Sequence, residues 1–301
     1  MVTSLLLAAH LLCVNLASGG PILAAWLDWR GTRGEDAAAK AAVYLARASL
    51  AAFLAGAALG LLIGWLKWDA DYRSLWLGPL IYKLKGAVIE IAFSFALILG
   101  WWLWLPGKSG GARSAMITRC FLAALAATNL LYHFPLLFSV AAHLQAAGQT
   151  AGPTISGADF RRLLDAEALA LMIHVTLASL ATAGMMLLGL ALRWQRHGET
   201  LAATVIGRTG SRCALVSSLL QLPVGLWLLI ALRPDTQSHL LGESTIGVLL
   251  FVASLLAALW LLNDLAQLAL GEFSRRLAIR SMIAMLVTVI LMTVMQQHSR
   301  L

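Results

Sequence analysis

Eight long apolar segments constrain the fold of this chain more than any other feature of its sequence. Each has close to the roughly 20 residues that an α-helix needs to cross a bilayer, or more. Because backbone N–H and C=O groups in lipid must find partners within the chain, these segments are expected to be helices. The sequence therefore predicts an all-α, polytopic membrane bundle of about eight transmembrane helices, over residues 3–27, 41–66, 83–105, 115–143, 166–192, 212–232, 245–270 and 278–297.

The composition agrees with this class. Charged residues make up 12% of the chain, against about 25% in a soluble domain. The connections are short, and neither a soluble insertion nor a convincing internal repeat is visible, so 1–301 is predicted to form a single transmembrane domain. Cys13, Cys120 and Cys213 form no C-x-x-C pair, which gives no support for a disulfide, a zinc knuckle or covalently attached c-type haem. The first segment lacks the basic start of a signal peptide and is expected to remain as a helix.

The net charge of +8 is distributed unevenly. The connections after the first, third, fifth and seventh segments hold more lysines and arginines than those on the other side. Because cytoplasmic loops are rich in these residues, both termini are predicted to lie outside a bacterial inner (cytoplasmic) membrane, and no nucleic-acid partner is needed to explain the charge. The cations assigned to the inner connections include Lys108, Arg113, Arg119, Arg208, Arg212 and Arg280, and those assigned to the outer side include Arg300.

Four ionisable side chains lie well inside the predicted spans: His10, Glu90, His133 and His174. Such groups are costly in a membrane and often mark function. Alternating helix directions place all four in the outer half of the bilayer, on four different helices. Since imidazole is the usual axial ligand of b-type haem, we predict that these residues bind haem b and that the three histidines bind its iron. The competing interpretation is a set of hydrogen-bonded core residues.

Other polar residues leave two interpretations each. Asp264 is either a polar contact between helices or an acid of a proton path. Gln221, beside Pro223, either caps backbone groups freed by the proline or faces a cofactor. Four cations on the outer side either pair with haem propionates or are solvated loop charges: Lys83, Lys85, Arg161 and Arg162. Further ionisable residues fall at helix ends or in connections: His143, Glu167, His197, His239 and His298.

Several segments resemble subunit I of the cytochrome bd-type quinol oxidases. "HLLCVNLASGGPILAAWLD", which begins at His10, is similar to the family's first helix, and "PLIYKLKGAVIEIAFSFALILGWW", which contains Glu90, is similar to its third. "ATNLLY" resembles the Ser-Asn-Leu of the fourth helix, and "LMIHVTLASLATAGMMLLGL", which contains His174, resembles the fifth. The resemblance covers about residues 5–195. It implies that His10 binds haem at the high-spin site, that His174 binds the low-spin b haem, and that Glu90 lies beside the high-spin pair.

The chain departs from this family at several points. Tyr82 stands where the family has a further acid, and "RPDTQSHLLGES" replaces its long quinol-binding loop. No counterpart is found of the methionine that completes the low-spin haem site or of the late acid that binds another haem. His133 occupies a position that is apolar in the family, so a haem with two histidine ligands, His133 with His174 or with His10, is a second expectation.

These observations predict a membrane-embedded b-type haem-binding electron-transfer subunit of a larger redox complex. The expected partners are membrane lipid and other redox subunits, including a c-type cytochrome domain on the outer face. Whether the chain is itself an oxidoreductase stays open, and it is not expected to be a quinol oxidase on its own. Two alternatives remain, a haem-free structural or transport subunit that kept the fold and a divergent terminal oxidase.

Overall fold

The computed structural model describes residues 2–104 and 113–298, except the side chains of Arg113, Ser114 and Asp235. Lys108, Arg300 and the last residue of the third predicted span lie outside the described residues. Within them there are eleven α-helices, one π-helical turn (His239–Glu243) and no strand. The α-helices are α1 (Val2–Gly31), α2 (Asp36–Leu66), α3 (Ala70–Leu77), α4 (Ile81–Trp104), α5 (Arg113–Ala146), α6 (Gly157–Arg162), α7 (Ala166–Arg196), α8 (Thr200–Ala231), α9 (Pro234–Ser238), α10 (Thr245–Leu270) and α11 (Arg275–His298).

Eight of the described helices are long and apolar enough to cross a membrane: α1, α2, α4, α5, α7, α8, α10 and α11. This confirms the predicted all-α bundle and its number of spans. The chain is therefore an integral membrane protein, and the short helices α3, α6 and α9 lie in connections. With eight crossings, both ends of the described chain lie at the same face. We call this side the terminal face and the other side the opposite face.

The sixth predicted span begins too late. The helix α8 starts at Thr200, about three turns before residue 212, so Arg208 and Arg212 lie within a helix rather than in a connection. Arg208 Nη2 donates a hydrogen bond to the Gly271 carbonyl at 3.0 Å, and Arg212 Nε donates one to the Ala269 carbonyl at 3.2 Å. Both arginines thus satisfy carbonyl groups at the end of α10, which have no partners within their own helix.

Arg119 also lies inside a helix, although it was assigned to a connection. Its side chain is 2% exposed, and the guanidinium donates two hydrogen bonds to the Asp28 carboxylate, from Nε at 2.9 Å and from Nη2 at 3.3 Å. The pair joins α1 to α5 near the opposite face. A buried arginine is tolerated there because the fork of a guanidinium matches the two oxygens of a carboxylate.

Contacts between helices divide the eight spans into two four-helix bundles of the same topology. In the first bundle, each of the helices packs on the next and the last returns to the first: α1, α2, α4 and α5. In the second, α7, α8, α10 and α11 also pack each on the next, and α11 returns to contact both α7 and α1. The bundles meet where α1 packs on α7, and there Ser179 Oγ donates a hydrogen bond to Asn15 Oδ1 at 3.2 Å. A Cβ on Gly19 would overlap the Ser179 carbonyl, so this close approach of two backbones requires glycine.

Candidate functional site

The four intramembrane residues predicted to bind haem lie on α1, α4, α5 and α7. Each is roughly two to four helical turns from the terminal face. The helices α1, α5 and α7, which carry the three histidines, all pack against one another. The fold therefore brings three histidine-bearing helices into one neighbourhood, at the place where the two bundles meet.

His10 turns towards α2. Its Nδ1 lies 2.9 Å from the Gly56 carbonyl oxygen, and because a carbonyl only accepts, Nδ1 carries the hydrogen. Gly60, one turn further along α2, makes room for the ring, since a Cβ there would lie 2.9 Å from His10 Cε1. In the neutral ring, this tautomer leaves the lone pair on Nε2. Histidines that bind metals usually donate their other ring N–H to a carbonyl or a carboxylate. His10 therefore has the tautomer and the hydrogen bond that are typical of a metal-binding histidine.

His174 lies on α7 with a ring nitrogen that is buried and unsatisfied. Nδ1 makes no hydrogen bond to any described residue. Leaving such a group without a partner costs about 1–3 kcal/mol, which makes the ring a candidate for an additional ligand. The His174 carbonyl accepts a long hydrogen bond from Gln221 Nε2, at 3.5 Å. Gln221 therefore caps a carbonyl of the neighbouring helix α7, rather than one freed by Pro223 in its own helix.

Glu90 and His133 meet across the hairpin of α4 and α5. The distance from His133 Nε2 to Glu90 Oε1 is 3.9 Å, and the side chains are 46% and 30% exposed, respectively. Asn129 fixes the two helices here, because its Nδ2 donates to the Glu90 carbonyl at 3.1 Å and to Ser94 Oγ at 2.8 Å. The structure thus places an ionisable pair on the surface of the isolated chain, at a depth where the surroundings are lipid.

The structure brings only part of the predicted ligand set into direct contact. Among the described residues, no hydrogen bond or ion pair joins His10 to His174, or either of them to His133. The pairing of two histidines on one iron therefore stays a prediction.

Four cations are predicted either to pair with haem propionates or to be solvated loop charges. Lys83 Nζ lies 4.2 Å from the centre of the Phe160 ring, and Arg162 Nη1 pairs with Asp159 at 3.3 Å in a largely exposed contact. Lys85 and Arg161 are exposed. The contact of Arg162 is that of an exposed surface charge, and propionate binding by any of the four stays a prediction.

Asp264 forms a polar contact between helices. It is completely buried, and its Oδ1 accepts a hydrogen bond from Arg280 Nη2 at 3.1 Å, which joins α10 to α11. The prediction that Arg280 lies in a connection is wrong, because Arg280 lies in α11 and is the charged partner of Asp264. The geometry therefore favours a structural contact between helices over an acid of a proton path.

Two polar contacts between helices were not predicted from the sequence. One is the pair of Asp28 and Arg119, where the predicted first span stopped one residue short of the acid. The other lies at the terminal face, where His143 Nε2 is 3.7 Å from Asp165 Oδ2 and Glu167 is close to both. The sequence carried one signal for this second contact. The end of the fourth span and the start of the fifth must emerge at the same face, so their ionisable residues are expected to lie near one another.

A separate cavity of about 340 Å³ opens near the opposite face, between the start of α2 and the end of α7. None of the four predicted haem-binding residues lines it. The lining residues are Lys40, Tyr44, Arg47, Leu190, Arg193, Trp194, His197 and Glu199.

No protein-family model matches this chain, and no curated protein matches it either. The all-α fold and the transmembrane character therefore rest on the geometry of the chain itself. The resemblance to cytochrome bd subunit I stays a prediction.

Proposed function

We propose that this chain is a b-type haem-binding electron-transfer subunit of a larger redox complex in a bacterial inner membrane, resembling subunit I of cytochrome bd. The observation that carries the proposal is the hydrogen bond from His10 Nδ1 to the Gly56 carbonyl at 2.9 Å. It fixes the ring in the tautomer that offers Nε2 to an iron.

Two further candidate residues support the same proposal. His174 presents a buried imidazole without a partner for Nδ1, and His133 lies on α5, which packs on both α1 and α7. In this proposal, His10 and His174 are the principal iron ligands, His133 is a further ligand and Glu90 is the acid beside them. A bound haem supplies one-electron chemistry. The chain supplies the oriented imidazoles and an apolar environment that keeps water away.

The pair of Glu90 and His133 supports a place within a larger complex. Ionisable groups inside a membrane usually face the interior of a bundle or a polar partner, yet His133 is 46% exposed in the isolated chain. A further redox subunit that covers this surface would remove the cost of facing lipid. In this proposal, the terminal face is the outer one, as predicted from the basic residues of the connections, and a c-type cytochrome domain would exchange electrons there.

The cofactor content of the purified chain tests the proposal. Protein from a haem-replete host is expected to contain non-covalent haem b, extractable with acidic acetone and identified as its pyridine haemochrome. Haem-free, well-folded protein from such a host would contradict the proposal and favour the structural or transport alternative.

Substitution of His174 sharpens this test. His174→Ala is expected to remove or convert the low-spin signal in the dithionite-reduced spectrum while the protein still inserts into the membrane. His197→Ala is the matched control, because His197 is exposed at the opposite face and its Nδ1 bonds to the Arg193 carbonyl of its own helix, at 2.8 Å. An unchanged spectrum in a folded His174→Ala protein would make His174 a structural residue only.

A further inference from the structure

One imidazole and two carboxylates converge at the terminal face, where α5 ends and α7 begins. His143 lies in the last turn of α5, Asp165 caps the start of α7, and Glu167 lies in the first turn of α7. One ligand atom from each residue lies within 4.8 Å of the other two. The closest measured pair is His143 Nε2 and Asp165 Oδ2, at 3.7 Å.

Both sides of this cluster are held in place. Asp165 Oδ1 accepts a hydrogen bond from the Ala168 backbone N–H at 2.9 Å, which leaves the other oxygen directed at His143. On the side of α5, the neighbours of His143 are buried in an apolar cluster with α3: Val140, Ala141 and Leu144 pack with Leu75 and Trp76. The donor set is therefore built on two anchored helix ends and not on a free loop.

We propose that His143, Asp165 and Glu167 form a binding site for a divalent transition metal, and we assign it to Zn²⁺. Zinc binds imidazole nitrogen and carboxylate oxygen at about 2.0–2.2 Å, so neighbouring ligand atoms in a tetrahedral site lie roughly 3.3–3.5 Å apart. The observed 3.7 Å is close to this separation. Because Mg²⁺ and Ca²⁺ prefer oxygen ligands throughout, the imidazole selects against them.

The position of the site gives the metal a structural role. The helix α5 belongs to the first bundle and α7 to the second, so one ion bound by His143 and the two acids would fasten the bundles together at the terminal face. Three protein ligands leave a fourth position for water or for a group of a partner subunit. His143 and Asp165 side chains are 29% and 43% exposed, so an ion can enter from the aqueous side. This site is separate from the proposed haem ligands and does not depend on them.

Metal titration of the full chain tests the site. The protein is purified in detergent through a tag free of histidine, stripped with EDTA and titrated with ZnCl₂ against a chromophoric chelator. Bound metal is counted by mass spectrometry after gel filtration. We expect one zinc per chain and a rise in the melting temperature with added zinc, because an ion that binds only the folded state stabilises it.

Three variants and one control identify the ligands. His143→Gln, Glu167→Gln and Asp165→Asn are each expected to weaken zinc binding at least tenfold and to abolish the thermal stabilisation. Asp165→Asn is the most informative of the three variants, because asparagine also caps helices well and therefore keeps the start of α7 intact. Asp159→Asn, which alters an exposed carboxylate of α6, is expected to bind zinc as the unaltered chain does.

Zinc bound at well below one ion per chain would overturn the proposal. So would equal zinc affinity in Asp165→Asn, or equal competition by Ca²⁺. Haem content is measured in the same samples, so a failure of the haem proposal and a failure of the metal site are seen separately.

Discussion

Two glycines of α2 hold the ring of His10, one through its carbonyl and the other through its lack of a side chain. In Gly60→Ala, the new Cβ would lie 2.9 Å from His10 Cε1, which is too close, so the ring must move away from the Gly56 carbonyl. We expect a lower ratio of haem to protein and a changed reduced spectrum in this variant.

The matched control for this prediction is Gly64→Ala, one turn further along the same helix. A Cβ at Gly64 meets nothing within 4 Å, and both substitutions raise helix propensity by about 1 kcal/mol. The comparison therefore isolates the contact with the ring. Equal haem content and equal spectra in the two variants would show that the orientation of His10 does not control cofactor binding.

The buried pair of Asp28 and Arg119 gives a prediction on stability. Arg119→Leu leaves the Asp28 carboxylate unpaired, and breaking a buried ion pair in this way costs about 3–5 kcal/mol. We expect a large decrease in the midpoint of unfolding by sodium dodecyl sulfate. The double variant Asp28→Leu with Arg119→Leu is expected to recover most of the loss, because it leaves no isolated charge. A single variant as stable as the unaltered chain would contradict the ion pair.

At the level of helices, hydropathy was enough to predict all eight spans and their order. It did not predict how each helix is rotated about its axis, and this rotation decides which side chains meet. Glu90 and His133 were placed at similar depth on consecutive helices, and they do meet. The contact of His10 with Gly56 had no comparable signal in the sequence. The start of α8 was missed because its arginines find carbonyl partners on α10, a tertiary contact that no local pattern reveals.

The connection between α1 and α2 gives a prediction on pH dependence. Arg30 Nε donates a hydrogen bond to Glu35 Oε1 at 3.0 Å, and this guanidinium lowers the pKa of Glu35 below its usual value of about 4.3. A carboxylate with a depressed pKa in the folded state stabilises the fold above its unfolded pKa and loses that effect as pH falls through the folded pKa.

Glu35→Gln is therefore expected to melt at a lower temperature than the unaltered chain at pH 7. The difference should shrink as pH falls from about 5 to 3. The pair is partly exposed, so the effect is small. Thermal unfolding of both proteins in detergent over this pH range measures it, and a difference that is independent of pH would exclude the ion pair as its cause.

In the whole molecule, the candidate ligands are divided between the two bundles. His10 and His133 belong to the first and His174 to the second, and the bundles approach closely where Gly19 meets Ser179. Binding a cofactor with ligands from both bundles would require the two bundles to keep their relative position at this contact. The proposed zinc site also joins α5 to α7, at the terminal face. The proposed zinc site therefore lies between the bundles, whereas the hydrogen bond to Gly56 holds the His10 ring towards α2, within the first bundle.

The last prediction concerns what the isolated chain cannot do. The connection from α8 to α10 consists of the five-residue α9 and a π-helical turn, which leaves no long loop for a quinol. Tyr82 stands where the resembling family has an acid, and a phenol is a poor substitute for a carboxylate in carrying protons. We therefore expect the purified, haem-containing chain to show no oxygen uptake with a reduced quinol. In its native membrane, it should copurify with other redox subunits. Oxygen consumption is measured with haem occupancy determined in the same sample, and sustained, cyanide-sensitive turnover without partners would instead identify the chain as a divergent terminal oxidase.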